Sequence, residues 1–244
     1  MGSNPTSPTK RICLEKYHLP NFAYAIGLVT TDGSLSKDGR HIAFRSSDLQ
    51  LLETFRRCLN ISNRISQSDP KHHKLASKPT YIVQFGDIVL YRFLQTIGLI
   101  PAKTYTLGSL NIPDQYFPDF LRGHLDGDGT IMSYQDNYNI YRGRRYSCYR
   151  LSVRFLSASQ KHIEWLQAQT ERLTGCVGAV FDRPPRLKSG VPMWSLKFSK
   201  NESAKLVEWM YYAGGLPCLE RKLLKVQEAR INLASQKRKS YSRI

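Results

Sequence analysis

Hydrophobic and polar positions along this chain of 244 residues run through one order of segments twice. Asn21 to Thr31 carries Phe22, Ala25, Ile26, Leu28 and Val29 at helical spacing, with Asn21 expected as the N-cap after Pro20. Its counterpart is Phe117 to Gly127, with Pro118 near the start. A polar stretch follows each helix, and then an alternating run. Ile42 and Phe44 alternate with His41, Ala43 and Arg45; Leu151, Val153 and Phe155 alternate with Arg150, Ser152 and Arg154. Next come helices that Asp48 and Ser159 are placed to cap. Two further strand-like runs follow in each half, around Arg64 to Ser66 and Tyr81 to Phe85, then around Ala179 to Phe181 and Trp194 to Phe198. Helices are expected over Ile88 to Ile97 and Ser203 to Ala213. Each half ends on a glycine, an apolar run, a proline and a lysine, at Gly98 to Lys103 and Gly215 to Lys222. The extra length of the second copy falls mainly in Tyr134 to Arg145, read as a loop.

This order predicts an α+β fold of two duplicated helix-strand-strand-helix-strand-strand-helix units. The expected boundaries are 17–110 for the first half and 111–233 for the second. An extension over 1–16 precedes them, expected to be partly disordered, with Met1-Gly2-Ser3 resembling an expression leader. A basic, Ser-rich tail over 234–244 follows.

Composition narrows the partner. Lys and Arg number 36 against 19 Asp and Glu, a net charge of +17. Such self-repulsion is offset by an acidic partner, and the phosphate backbone of nucleic acid is the commonest one. Cys13, Cys58, Cys148, Cys176 and Cys218 lie far apart, with no Cys-x-x-Cys pair, so neither a disulfide framework nor a zinc site is expected. His72-His73 is read as a solvated loop pair. No signal peptide and no membrane-length apolar run is present, so an intracellular protein is expected, its compartment left open between a bacterial or archaeal cytoplasm and an organelle.

Each predicted first helix ends in the same chemistry. Ala25-Ile26-Gly27-Leu28-Val29-Thr30-Thr31-Asp32-Gly33 and Leu121-Arg122-Gly123-His124-Leu125-Asp126-Gly127-Asp128-Gly129 share a glycine in third place, an acid in eighth and a glycine in ninth. The two acids stand 96 residues apart (128 − 32). An acid at a helix C-terminus opposes the macrodipole, which a bound cation would relieve. Paired acids in a very basic chain therefore point to metal-dependent chemistry on nucleic acid. An EF-hand reading of Asp126 and Asp128 fails, because Thr130 stands at the third ligand position and no glutamate closes the loop.

At these residues the chain resembles the single-chain LAGLIDADG homing endonucleases, which carry two such motifs. The resemblance covers most of residues 17–233. It implies two motif helices packed at a pseudo-twofold axis, with Gly27 and Gly123 at the helix interface, and two curved antiparallel sheets forming a DNA-binding saddle. It further implies Asp32 and Asp128 as catalytic metal ligands, helped by the carbonyls of Thr31 and Gly127. Lys103 and Lys222 match the family's basic residue near each scissile phosphate, implied to be catalytic by stabilising charge in the transition state or orienting water, with Arg221 a competitor for Lys222. The implied ion is Mg2+, with Mn2+ or Ca2+ as substitutes for binding. The implied activity is a double-strand break in long asymmetric DNA that leaves short 3' overhangs, made by an intron-encoded monomer. The chain lacks the flanking splicing sequence of an intein and is read as free-standing. Departures lie at Thr30, where an acid is common, at His124 and at Arg122; Thr30 raises the question of a weakened half.

Candidate DNA contacts on outward strand faces are Arg40, Arg45, Arg64, Gln84, Arg150, Arg154, Arg183 and Lys197. Arg144 and Lys188, with other loop cations, are expected at phosphates. The alternatives are an RNA maturase that assists intron splicing on the same scaffold, and a transcription regulator, for which no appended helix-turn-helix is evident.

Overall fold

The computed structural model describes residues 19–68, 79–141, 143–184 and 192–241. Among them are seven α-helices and two four-stranded antiparallel sheets, so the expected α+β duplication is what the chain forms. The first half runs α1 (Leu19–Asp32), β1 (Gly33–Leu35), β2 (His41–Ser46), α2 (Leu49–Leu59), β3 (Ile65–Ser68), β4 (Thr80–Gly86) and α3 (Ile88–Thr96). The second runs α4 (Phe117–Asp128), β5 (Thr130–Tyr141), β6 (Arg144–Ser157), α5 (Gln160–Thr174), β7 (Ala179–Arg183), β8 (Met193–Phe198), α6 (Lys200–Met210) and α7 (Glu220–Tyr241). Strand orders are β1-β2-β4-β3 and β5-β6-β8-β7, the same topology twice.

Alternation explains the sheets. Ile42, Phe44, Val83 and Phe85 are buried on one face of the first, and Leu151, Val153, Phe155, Leu196 and Phe198 on one face of the second. α2 lays Leu51, Leu52, Phe55, Cys58 and Leu59 on that face, one helical stripe, with Phe44 and Phe55 rings 4.6 Å apart. In the second half Ile163 and Leu166 of α5 take the equivalent role.

Three expectations change. Asn21 is the third residue of α1 rather than its cap. Pro20 sits in the first turn, where a missing N–H costs no helical bond. Asp48 and Ser159 hold the N-cap positions in extended backbone, but neither side chain closes onto its helix. Asp48 instead pairs with Arg221 at 2.9 Å, and Ser159 donates to the Leu107 carbonyl, so both tie the halves or their linker together. The segment read as a loop, Tyr134 to Arg145, belongs to the outer part of a long β-hairpin. Ser133, Gln135, Asp136 and Asn137 put polar side chains on both faces of β5, which hides the alternation. The basic segment from Ala234 continues α7 as far as Tyr241. His72-His73, Lys188 and the extension over 1–16 lie outside the described residues.

Candidate active site

α1 and α4 cross with their backbones in contact. A Cβ on Gly27 would stand 2.2 Å from the Phe120 carbonyl oxygen, and one on Gly123 2.1 Å from that of Tyr24. Only glycine allows this approach, and it brings together the helix ends that carry Asp32 and Asp128. A Cβ on Gly127 would meet Thr31 Oγ1 and lie 3.0 Å from Asp32 Oδ2, so the gap between the two helix ends is kept clear of side chain.

The electrostatics follow from that convergence. Burial, then the neighbouring Asp128 charge, push the Asp32 carboxyl up to about 7. Asp128 opens to solvent on one side; burial on its others raises its carboxyl too, against the pull of Lys103 and Lys222. Lys103 and Lys222, from chain segments well past the motif helices, are buried beside the acids. Burial pulls each ammonium down to about 8 while the carboxylates hold it up. Lys103 Nζ donates to the Gly33 carbonyl just past α1. Lys222 Nζ donates to the carbonyls of Leu125, Asp126 and Gly129 at the end of α4, the last two at 2.9 Å. Its three N–H donors are thereby spent on backbone, whereas Lys103 keeps the same contact to the ninth-place glycine and fewer others. Arg221 points elsewhere, to Asp48.

Oxygen donors of this kind suit a hard divalent cation. Among the described residues no cluster of three His, Cys, Asp or Glu side chains could hold one. Two carboxylates and nearby carbonyls would therefore leave most coordination positions to water and phosphate, as Mg2+ prefers.

The motif departures resolve into packing. Asp126, in sixth place, is buried; it accepts from Tyr24 Oη of the first half and from the Leu219 N–H, each at 2.8 Å. Thr30 in the other copy bonds back to the Ile26 carbonyl within its own helix. The sixth position thus ties the halves at Asp126 and stays within its own helix at Thr30. Arg122 is fully buried, donating to Asp119, to the Met210 carbonyl and to the Pro217 carbonyl. His124 and His162 meet through Nε2 atoms 3.1 Å apart, and His162 Nδ1 contacts the Gly108 carbonyl in the linker. Sequence reading missed these partners, since nothing in a single chain links Tyr24 to Asp126 before the helices cross.

The candidate DNA contacts divide. Arg45 and Gln84 share the outward face of the first sheet, with Ser34, Ser66 and Ile82. Arg40 and Arg64 lie at strand ends, outside the strands themselves. Arg150, Arg154, Lys197 and Arg183 share the outward face of the second sheet by register, and Arg144 begins β6 on the same side. Arg154 Nε, buried, has no hydrogen-bond partner among the described residues.

Residues 20–98 match the family model described as LAGLIDADG-like domain. No curated protein sequence matches the chain. Among solved structures, the I-LtrWI LAGLIDADG homing endonuclease bound to target DNA aligns over 91% of this chain and 91% of its own, at 14% identity and a TM-score of 0.56. The I-SmaMI LAGLIDADG homing endonuclease bound to cleaved DNA aligns over 89% and 90%, at 13% identity and 0.58. Full-length DUF199/WhiA from Thermatoga maritima aligns over 94% of this chain and 62% of its own, at 11% identity and 0.51. At these identities the likeness concerns the fold. Residues 20–98 thus match the model of a LAGLIDADG-like domain, and the chain as a whole has the fold of the solved LAGLIDADG homing endonucleases.

Proposed function

We propose that this protein is a site-specific DNA endonuclease of the homing type, active as a monomer, that cuts both strands of a long asymmetric target. The observation that carries the reading is the convergence of Asp32 and Asp128 at the glycine-packed seam, with carboxyl groups raised by burial and, at Asp32, by its partner's charge. The two carboxyls stay raised even with Lys103 and Lys222 beside them, which costs stability, so a function that supplies a further cation explains them.

Asp32 and Asp128, with the carbonyls of Thr31 and Gly127, would hold Mg2+, for which Mn2+ can substitute in cleavage and Ca2+ in binding. The bound ion supplies a polarised phosphate and an activated water for in-line displacement. The chain's own residues do the rest. Lys103 holds positive charge beside the acids, available to a phosphate or a water. Lys222 fixes the end of α4 and so the direction of Asp128. Arg45, Gln84, Arg150, Arg154, Arg183 and Lys197 are presented on outward sheet faces, and a sheet or ribbon with such side chains enters a major groove. Arg40, Arg64 and Arg144 are assigned to phosphate or distal contacts. Cuts on opposite strands near one axis leave short 3' overhangs, and an open reading frame within an intron is the expected setting.

The test is cleavage of duplexes selected for binding from a randomised pool. Both strands should be cut with Mg2+ or Mn2+ and neither in a chelator. Tight binding with no cutting in any divalent ion would count against the reading. Splicing support by the protein, unaffected by Asp32→Asn and Asp128→Asn, would favour the maturase instead.

A further inference from the structure

The two halves reach outward from the acid pair by very different lengths. β1 has three residues and its hairpin closes by His41, whereas β5 has twelve and pairs with β6 out to Tyr141 and Arg144. At roughly 3.3 Å per residue, the second hairpin extends about 30 Å farther from its motif helix. Among the described residues β6 pairs with β8 from Val153 to Ser157, and beyond Leu151 the hairpin leaves the four-stranded sheet as two strands. Its base is braced from behind: Lys225 of α7 donates to the Ile131 carbonyl, and Tyr149 is buried. The outward face of the ribbon carries Tyr134, Arg150 and Arg144 by register, with Asp136 ion-paired to Arg150 at 3.1 Å. Tyr134 is 49% exposed and Tyr138, at the bulge, 93%. Arginines interleaved with exposed tyrosines on a ribbon of groove width suit duplex DNA.

We propose that this ribbon is a second reading arm, and that it makes the DNA site lopsided about its cleavage centre. The inference rests on the endonuclease reading above and adds the shape of the substrate. Since B-DNA rises about 3.4 Å per base pair, the half-site under β5 and β6 extends up to roughly nine base pairs farther than the one under β1 and β2.

The experiment is hydroxyl-radical footprinting and base-preference mapping of the wild-type protein on duplexes selected from a randomised pool, with cut positions marking the centre. Protection and preference should run at least four base pairs farther on one side. Replacing residues 136–148 with Asn-Gly should erase that excess while leaving the cut positions unchanged. The milder double variant Tyr134→Ala with Arg144→Ala, at exposed positions, should lose at least tenfold of the discrimination at the distal positions on the long side only. A footprint equal on both sides would overturn the inference and leave the nuclease standing. Failure to select any duplex would overturn both.

Discussion

At the scale of single residues, the account turns on two carboxyl groups that resist ionising. The folded Asp32 carboxyl gives up its proton near 7, against 3.8 ordinarily. Between those values the folded state holds the extra proton, so this group's contribution to stability falls as pH rises from about 4 to 7 and stays low above. A divalent cation competes with that proton. Mg2+ affinity should therefore climb with pH through about 7 and rise further through about 8 as Lys103 and Lys222 lose their charge, measured by calorimetry from about pH 5.5 to 8.5. A flat profile would contradict the coupling. The lysines separate by what they hold. Lys222→Met strands the carbonyls of Leu125, Asp126 and Gly129 and should cost about 2–4 kcal/mol in denaturant melts. Lys103→Met loses one such bond and should cost about 1 kcal/mol, while slowing cleavage about tenfold to a thousandfold. The acids, the lysines and the two glycines were legible in the sequence because they recur at matched positions. The bonding of the lysines was not, because each reaches a carbonyl about 70 to 97 residues away that only the crossing helices bring near.

Elements show where pattern reading succeeds and where it fails. α2 and the inner faces of β2, β4, β6 and β8 follow from apolar periodicity, because each buries one face. The β5–β6 ribbon escaped because its outer part has no buried face to impose alternation, and Asp136 and Asn137 read as turn residues. The caps failed for a related reason: Asp48 and Ser159 are bound by Arg221 and by the Leu107 carbonyl, tertiary partners that outcompete their own helices. The crossing of α1 and α4 is the element-scale claim most open to test. A methyl at residue 27 would press within 2.2 Å of backbone oxygen, which no rotamer change relieves. Gly27→Ala should cost more than about 3 kcal/mol, whereas Gly39→Ala, where a Cβ meets nothing, should lose only the smaller penalty of its left-handed turn. Equal effects would mean that the seam is looser than described.

For the whole molecule, duplication and divergence act together. The halves share one topology and one lysine contact at the ninth-place glycine, while Asp126, Arg122 and the His124–His162 pair belong to the second half alone. At the sixth position the copies differ in bonding: Thr30 turns back on its own helix, whereas Asp126 joins the halves through Tyr24. The net charge of +17 and the cations on the sheet faces predict that log affinity for duplex falls with log salt at a slope of about −5 or steeper. A shallow slope would remove the phosphate backbone as the principal partner. The central claim, that one pair of carboxylates serves two strands, is tested most directly by strand-resolved cleavage. Each strand of a selected duplex is labelled, and wild type, Asp32→Asn and Asp128→Asn are compared in Mg2+. The account predicts that both variants bind the duplex about as tightly as wild type, and that each leaves at least one strand uncut. Normal cutting of both strands by either variant would contradict it.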